Sequence, residues 1–299
     1  ISNATNNIRT RMLQLVSHYL MYLSVNEFIC GNVLKKAKHF QLLRVLEGHH
    51  GAVRCVKFST DSHKILSSSD DKIIKIWEIV SGRQIQTFQG RSDFFDSAKL
   101  SPDEYKIASC SQDKTIRIWD VKTGKELIKL EGHSNIVSYS FDNTIRIWDL
   151  DSEKLVQRLI GHSDAVRTVQ YSFDGEIVVS SSNDQTIALW DMKSGKRLKV
   201  LKGHSDFVMT IRIWNMTSGQ ESKKLEGHTD VIHDVQYFPN GQTIVSCSKD
   251  KTIRLWDVKS GHEIQRLGGY STWKRCIDIS PDGTTIVTGS ENFTIQLWQ

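Results

Sequence analysis

The sequence predicts an all-β fold assembled from seven successive copies of one unit. Three observations carry that prediction. The stretch 109–120 (SCSQDKTIRIWD) returns at 246–257 (SCSKDKTIRLWD) and 180–191 (SSSNDQTIALWD), and more loosely at 67–78, 138–149 and 288–299, with a stump at 210–215. The motif tryptophans, Trp77, Trp119, Trp148, Trp190, Trp214, Trp256 and Trp298, are separated by 42, 29, 42, 24, 42 and 42 residues. A glycine follows each of the first six by 13 residues (Gly90, Gly132, Gly161, Gly203, Gly227, Gly269), with His next in four of them, and Gly48-His49 opens the series.

A period of 42 with Gly-His and Trp-Asp punctuation resembles the WD40 repeat, whose units are propeller blades. The resemblance covers roughly residues 40–299 and implies a seven-repeat WD40 β-propeller with two truncated blades, closed by an N-terminal strand and preceded by a short helical leader. The expected division is a leader over residues 1–40 and a propeller over 41–299.

In the leader, Ile8, Met12, Leu15, Val16, Tyr19, Leu20 and Leu23 recur at helical spacing. His18, Asn26 and Glu27 interrupt the apolar run, so a membrane span is not expected. The stretch 13–20 with Leu34 downstream loosely resembles the LisH dimerisation motif, although Leu23 stands where that motif prefers a small residue. The leader is thus either a helix packed on the ring, a remnant of an upstream segment, or a site of self-association. Next, 41–47 (QLLRVLE) matches the segments preceding the other Gly-His pairs, which follow a Trp strand. The first copy lacks a preceding Trp strand and the last repeat lacks a following outer strand. Residues 41–46 are therefore expected to complete the last blade, which leaves only short protected edges.

A full repeat reads as four strands: 52–59, 64–69, 73–79 and 84–88 in the first copy, with turn chemistry at 60–62, 101–103 and 281–283 and hairpin turns at Ser81-Gly82 and Thr123-Gly124. Two repeats are short. Between Trp119 and Trp148 the inner strand is missing; between Trp190 and Trp214 both the inner and second strands are missing. A two-stranded remnant needs support from its neighbours. The readings left open are a ring with a notch, a ring of fewer complete blades, or a sequence lacking coding segments.

The net charge of +5 comes largely from repeated positions such as Lys72/Lys75, Lys114/Arg117 and Lys251/Arg254. They alternate with Ile and Leu, which places them on solvated strand faces distributed around the repeats. That distribution disfavours nucleic acid, which asks for a basic stripe with stacking aromatics. Cys110 and Cys247 hold one equivalent position in different repeats and Cys55 and Cys276 hold another, and with Cys30 they are expected to be reduced residues of an intracellular protein. No spacing suggests a metal site, no cofactor is implied, and no secretory signal is seen. The glycosylation patterns at Asn3, Asn215 and Asn292 are read as chance, since two lie inside repeats.

Each intact repeat keeps a loop His, a Ser ten before the Trp, an Asp six before it, and the Trp. The set comprises His49, Ser67, Asp71, Trp77; Ser109, Asp113, Trp119; His162, Ser180, Asp184, Trp190; and His228, Ser246, Asp250, Trp256. A catalytic triad need occur only once, so recurrence marks the set as structural. The WD40 resemblance implies a buried Trp–Ser–His–Asp chain. The set has gaps: Arg91 and Tyr270 replace His, Val208 stands in the Asp phase, and Asn292 replaces Asp. The blades of Trp119, Trp214 and Trp298 are therefore expected to be the weaker ones. Function belongs where the repeats differ. The resemblance implies a narrow top face built from two positions flanking the first apolar residue of each inner strand and one just before the turn Asp. Those positions are Arg54, Asp70, Phe94, Asp96, Gln112, Phe141, Arg167, Asn183, His233, Lys249, Trp273, Arg275 and Glu291. Trp, Phe and Arg on one face are the residue types that dominate interface energies.

The expected function is a non-enzymatic scaffold for a protein or peptide partner, without a small-molecule substrate. The alternatives are a ubiquitin-ligase substrate receptor of the cullin type, because 107–122 resembles the WD box read by ligase adaptors, and a dimerising LisH-like regulatory protein. No paired carboxylates, phosphate loop or metal cluster converge to suggest an enzyme.

Overall fold

A computed structural model describes residues 39–89, 93–111, 115–130, 143–149, 154–172, 176–202, 209–215, 218–268 and 272–299. Residues 1–38 of the expected leader, Gln112, Asp113 and Phe141 lie outside them. The described residues contain strands and turns without a helix, and no helix among them is long and apolar enough to cross a membrane.

Among the described residues, five four-stranded sheets and two two-stranded sheets follow one another along the chain. Blade 1 runs Val53–Phe58, Lys64–Ser69, Ile74–Glu78 and Gln84–Phe88; blade 2 runs Phe95–Leu100, Lys106–Ser111, Ile116–Asp120 and Glu126–Leu130. Blade 3 is a pair, Thr144–Asp149 with Lys154–Ile160. Blade 4 runs Val166–Tyr171, Ile177–Ser182, Thr186–Asp191 and Arg197–Lys202, and blade 5 is again a pair, Ile211–Trp214 with Glu221–Leu225. Blade 6 runs Ile232–Tyr237, Thr243–Ser248, Ile253–Asp257 and Glu263–Leu267. Blade 7 supplies Lys274–Ile279, Ile286–Ser290 and Ile295–Trp298. Leu42–Leu46 is its fourth strand, pairing antiparallel with Ile295–Trp298. The ring therefore closes through the strand that the sequence supplied too early.

Closure is reinforced at the strand end. Gln41 and Gln299 exchange both backbone hydrogen bonds at 2.9 Å. Phe40 N donates to Gln265 Oε1 at 3.0 Å and Gln265 Nε2 donates back to Phe40 O at 2.8 Å, so one amide side chain of blade 6 imitates a strand partner. The core lies between blades. Leu46, Ile295 and Leu297 pack with Val53, Val56 and Trp77 across the closure, and the three-blade cluster around Ile145, Ile147 and Leu159 joins blades 2, 3 and 4. Inner strands are also tied by carboxylates: Asp234 of blade 6 accepts from Ile277 N at 2.9 Å, and Asp278 of blade 7 accepts from Phe58 N at 2.9 Å and Lys57 Nζ at 3.0 Å.

The repeated polar residues form directional chains. In blade 1, Trp77 Nε1–H donates to Ser67 Oγ at 2.8 Å, Ser67 Oγ lies 2.8 Å from His49 Nε2, and His49 Nδ1 lies 2.7 Å from Asp71 Oδ2. Blades 4 and 6 repeat this through Trp190–Ser180–His162–Asp184 and Trp256–Ser246–His228–Asp250, with every step between 2.7 and 2.9 Å. An indole can only donate and a carboxylate can only accept, so the chain assigns a neutral imidazole protonated on Nδ1. Burial pushes His228 below its usual pKa, in keeping with a neutral ring. The same carboxylates shape the turn. Asp250 also accepts from Thr252 N at 2.9 Å, Thr252 Oγ1 at 2.6 Å and Thr229 N at 3.2 Å, and Lys251 between them sits at φ 68°. Burial raises Asp250, but bonds from Thr252 and His228 outweigh it and hold the carboxyl down to about 2. Gly48, at φ 142°, precedes the histidine because an added Cβ would come within 3.2 Å of the Trp77 ring edge. In blade 7 the chain is shorter: Trp298 Nε1 donates to Thr288 Oγ1 at 3.2 Å. In blade 2, Trp119 Nε1 donates to Ser109 Oγ at 2.7 Å.

One sequence expectation is corrected. The recurrent cations are not uniformly solvated: Lys75 and Arg254 are 8% and 3% exposed. Each lies over its blade's tryptophan, at 5.6 and 6.0 Å from the ring centre. Their polar ends are satisfied locally, Lys75 Nζ by Gly48 O at 2.6 Å and Gln84 Oε1 at 2.7 Å, Arg254 Nη1 by Glu263 Oε2 at 2.7 Å. A long stem covering an indole with its charge paired explains the burial.

Two expectations follow for stability. Leu46→Ala, at a buried position of the closing strand, destabilises the chain by about 2–5 kcal/mol, whereas Leu42→Ala, 45% exposed on the same strand, stays within about 0.5 kcal/mol; urea unfolding distinguishes them. Asp250→Ala removes the acceptor 2.7 Å from His228 Nδ1, leaving the longer 3.3 Å contact to Thr252 Oγ1, and costs about 1–3 kcal/mol, while Asn292→Ala removes one exposed bond from Thr294 Oγ1. Equal melting temperatures for the two variants would refute this ranking.

Candidate functional site

The blade turns bring the start of each inner strand beside the residue preceding the turn carboxylate. The link is a backbone bond: Asp70 N to Ala52 O at 2.9 Å, Asn183 N to Ala165 O at 2.9 Å, Lys249 N to Val231 O at 2.8 Å and Glu291 N to Trp273 O at 3.4 Å. Residues far apart in sequence are thereby paired on one end of each blade. In blade 1, Arg54 grips Asp70 with two bonds, Nε to Oδ1 at 2.5 Å and Nη2 to Oδ2 at 3.0 Å. In blade 7, Arg275 grips Glu291 the same way, with Nη2 to Oε1 at 3.0 Å and a second, shorter bond from Nε to Oε2. Bidentate Arg–carboxylate pairs fix both side chains in one plane.

These pairs are coupled across the blade boundary. The bond from Arg275 holds Glu291 below its usual pKa, and Arg54 acts in the same direction; the bond to Glu291 raises Arg275, and Asp70 adds to it. Trp273 stands beside them, hydrogen-bonded to Glu291, with Lys249 Nζ of blade 6 positioned 5.5 Å from its ring centre. His233 completes the group. Its Nε2 is buried without a hydrogen-bond partner, and burial with the Arg275 charge pushes its pKa down to about 4. Blades 6, 7 and 1 therefore share one patch of His233, Lys249, Trp273, Arg275, Glu291, Arg54 and Asp70. On the other side of blade 1, Phe94 is partly exposed with Lys72 Nζ at 5.9 Å from its ring centre. Asn183 is exposed on blade 4, apart from these contacts. The backbones of Asp96 and Arg167 lie on the inner strands of blades 2 and 4.

Sequence reasoning named Lys72 only as a repeated cation and did not single out Asp230 or the charges deeper along the inner strands. Asp230 acts on His233 from the loop of its own blade. Deeper, burial and Lys57 push Lys99 down to about 8, and burial pushes the Asp234 carboxyl up to about 7. Part of the signal was present: Lys57, Lys99 and Asp278 hold one phase of their inner strands, with Gln236 in the same place, whereas Asp234 stands in the phase of Cys55, Ser97 and Cys276. Cys55, Cys110, Cys247 and Cys276 are free and buried. No group of three or more potential metal ligands occurs among the described residues.

A ring of repeated sheets with a variable polar and aromatic rim is an interaction platform in its architecture. Residues 40–78, 82–120, 153–191, 219–257 and 261–299 match the WD domain, G-beta repeat model, and the chain belongs to the WD40 family, whose members are generally non-enzymatic protein-interaction scaffolds. Individual stretches resemble curated proteins. One is 38% identical over 52 residues to the U3 small nucleolar RNA-associated protein 15 homolog of Xenopus laevis, covering 17% of this chain and 10% of that protein. Another is 51% identical over 39 residues to vegetative incompatibility protein HET-E-1 of Podospora anserina, covering 13% of this chain and 3% of that protein. A third is 37% identical over 54 residues to the WD repeat-containing protein 89 homolog of Dictyostelium discoideum, covering 18% and 15%. The matched stretches thus span no more than 15% of any of these three relatives.

The low pKa of His233 sets a pH dependence. The folded ring is neutral down to about 4, while an unfolded histidine protonates near ~6.5. The unfolded state binds the extra proton between those values, so this contribution to stability is present above the unfolded value and lost as pH falls toward 4. His233→Gln is expected to lose less stability than the parent between pH 7 and pH 4, measured by urea unfolding at each pH.

Proposed function

We propose that this chain is a scaffold that docks a peptide or protein segment across the rim of blades 6, 7 and 1, extending toward Phe94 on blade 2. The supporting observation is the joined patch in which Lys249, Trp273, Glu291, Arg275, Arg54 and Asp70 span three blades. Trp273 offers an apolar face with a polar edge. The two guanidinium–carboxylate pairs offer rigid, nearly neutral ground on either side. Such a surface favours an extended segment with an apolar anchor flanked by hydrogen-bonding groups over a highly charged ligand. Side chains already held by intramolecular bonds lose little freedom on binding, which is where rigid platforms gain affinity. The repeated Ser, His and Asp are each committed to a tryptophan and a turn, which supports binding over catalysis. Free, buried thiols support an intracellular setting.

The test is affinity capture of partners by the chain and by Trp273→Ala, with Tyr105→Ala as control. Tyr105 is 70% exposed in the turn between inner and second strands, at the opposite end of blade 2. Trp273→Ala, shown to be folded by circular dichroism, should weaken the principal partner by at least about tenfold while Tyr105→Ala retains it. Retention by Trp273→Ala, or loss through Tyr105→Ala, would place binding elsewhere.

A further inference from the structure

Blade 5 differs from the complete blades in what its tryptophan meets. Trp77, Trp119, Trp190, Trp256 and Trp298 each donate their indole N–H to a hydroxyl on the second strand of their own blade. Trp214 Nε1 is buried and has no acceptor among the described residues. The strand that would carry the hydroxyl is missing: Ile211–Trp214 pairs with Glu221–Leu225 on one edge, and among the described residues no strand pairs with the other. Arg212 Nε, two residues before the tryptophan, is also buried without a partner. Its counterpart Arg254 reaches Thr252 Oγ1 at 3.2 Å and Asp250 Oδ2 at 3.5 Å. Ile211 and Ile213, each 8% exposed, still hold core positions against blade 6. Arg212 keeps its Nη1 bond to Glu221, as Arg254 keeps its bond to Glu263, so the edge is shaped as the third strand of a blade with two donors, Trp214 Nε1 and Arg212 Nε, unmet.

The complete blades state what would meet them. Opposite Trp, and then opposite the residues one, two and three before it, the second strand places Ile65, Leu66, Ser67 and Ser68 in blade 1. The corresponding residues are Ile107, Ala108, Ser109, Cys110; Val178, Val179, Ser180, Ser181; Ile244, Val245, Ser246, Cys247; and Ile286, Val287, Thr288, Gly289. The pattern is aliphatic, aliphatic or Ala, hydroxyl, small. In blades 1, 4 and 6 a carboxylate follows four residues after the hydroxyl, at Asp71, Asp184 and Asp250.

We propose that the free edge of Ile211–Trp214 is a docking site for an extended strand of another protein. The strand runs antiparallel to it. It carries two aliphatic residues opposite Trp214 and Ile213, Ser or Thr opposite Arg212, and a small residue opposite Ile211. Its hydroxyl accepts from Trp214 Nε1, and an acidic residue four positions on gives Arg212, whose Nη1 already bonds Glu221, a second carboxylate, as Asp250 does for Arg254. Main-chain bonds to an open edge supply affinity and the alternating side chains supply selectivity. Binding removes a buried donor that has no acceptor, and such a donor is expensive to leave unmade. This site is separate from the rim of blades 6, 7 and 1 and does not depend on it.

The probe is a synthetic peptide of residues 174–186 (DGEIVVSSSNDQT), compared with the same peptide carrying Ser180→Ala, both added to the full chain labelled with nitrogen-15. The parent peptide should raise the melting temperature and move the indole N–H resonance that disappears in Trp214→Phe. The Ser180→Ala peptide should bind about tenfold more weakly. Against Trp214→Phe the two peptides should bind equally, since the donor is gone. If that variant does not fold, the comparison of the two peptides on the unaltered chain decides by itself. The proposal is overturned if neither peptide binds at millimolar concentration, or if both bind the unaltered chain equally. It is also overturned if sedimentation reveals a dimer that the peptide cannot dissociate, which would assign the edge to a second copy of this chain.

Discussion

The hydrogen bond from a buried tryptophan to a hydroxyl on the neighbouring strand is the interaction on which the rest of this protein depends. It fixes the indole, and the indole decides what else fits. The preceding glycine is bare because the ring edge passes close to it. The histidine takes one tautomer because the hydroxyl on its other side must give its proton away. The carboxylate at the far end holds the turn in which the next residue adopts a left-handed conformation, as at Lys72, Gln185 and Lys251. That turn presents the residue just before it at the rim. Core packing and the rim are thus joined, in blades 1, 4 and 6, by a single chain of donors and acceptors running from the centre of the blade to its edge.

Much of this was legible before any coordinates, because repetition exposes what one copy conceals. Trp77 alone is a core residue; Trp77 in phase with Trp119 and Trp256 is a ruler. The orphaned outer strand at 41–46 was legible as a deficit at one end matching a deficit at the other. What was not legible depends on depth and on neighbours. Alternation tells which face of a strand Lys75 and Arg254 occupy, but it cannot tell that a long stem lies along an indole and leaves the water. His233 was found by phase alone. Its nitrogen is buried without a partner, and its pKa is lowered first by that burial and then by the charge of Arg275, on a blade one repeat away. The deeper charges at Lys57, Asp234 and Asp278 shared that difficulty, since each acquires its meaning from the inner strand of an adjacent blade.

The two shortened blades test how much of a blade is needed to occupy a place in the ring. Ile145, Ile147 and Leu159 serve as packing for sheets on both sides, in one cluster with residues of blades 2 and 4. Blade 5 does the same more thinly, with Trp214 packed on blade 4 and its isoleucines on blade 6. Third and outer strands therefore suffice for apolar continuity. The inner strands are what line the middle of the ring and carry the cross-blade carboxylates, so the shortened blades lose polar connection before they lose packing.

The closing strand has a mechanical consequence. Phe40 and Gln299 lie at the same end of the paired strands, since Leu42 opposes Trp298 and Leu46 opposes Ile295. A force pulling those two residues apart loads the rungs one after another, beginning with the Gln41–Gln299 bonds. It does not load them all at once. Strands opened in this way part like a zip and resist far less than strands sheared lengthwise. The Gln265 amide clasping Phe40 is the stop at the open end of that zip, and it places the first resistance to tension on a side chain of the blade next door.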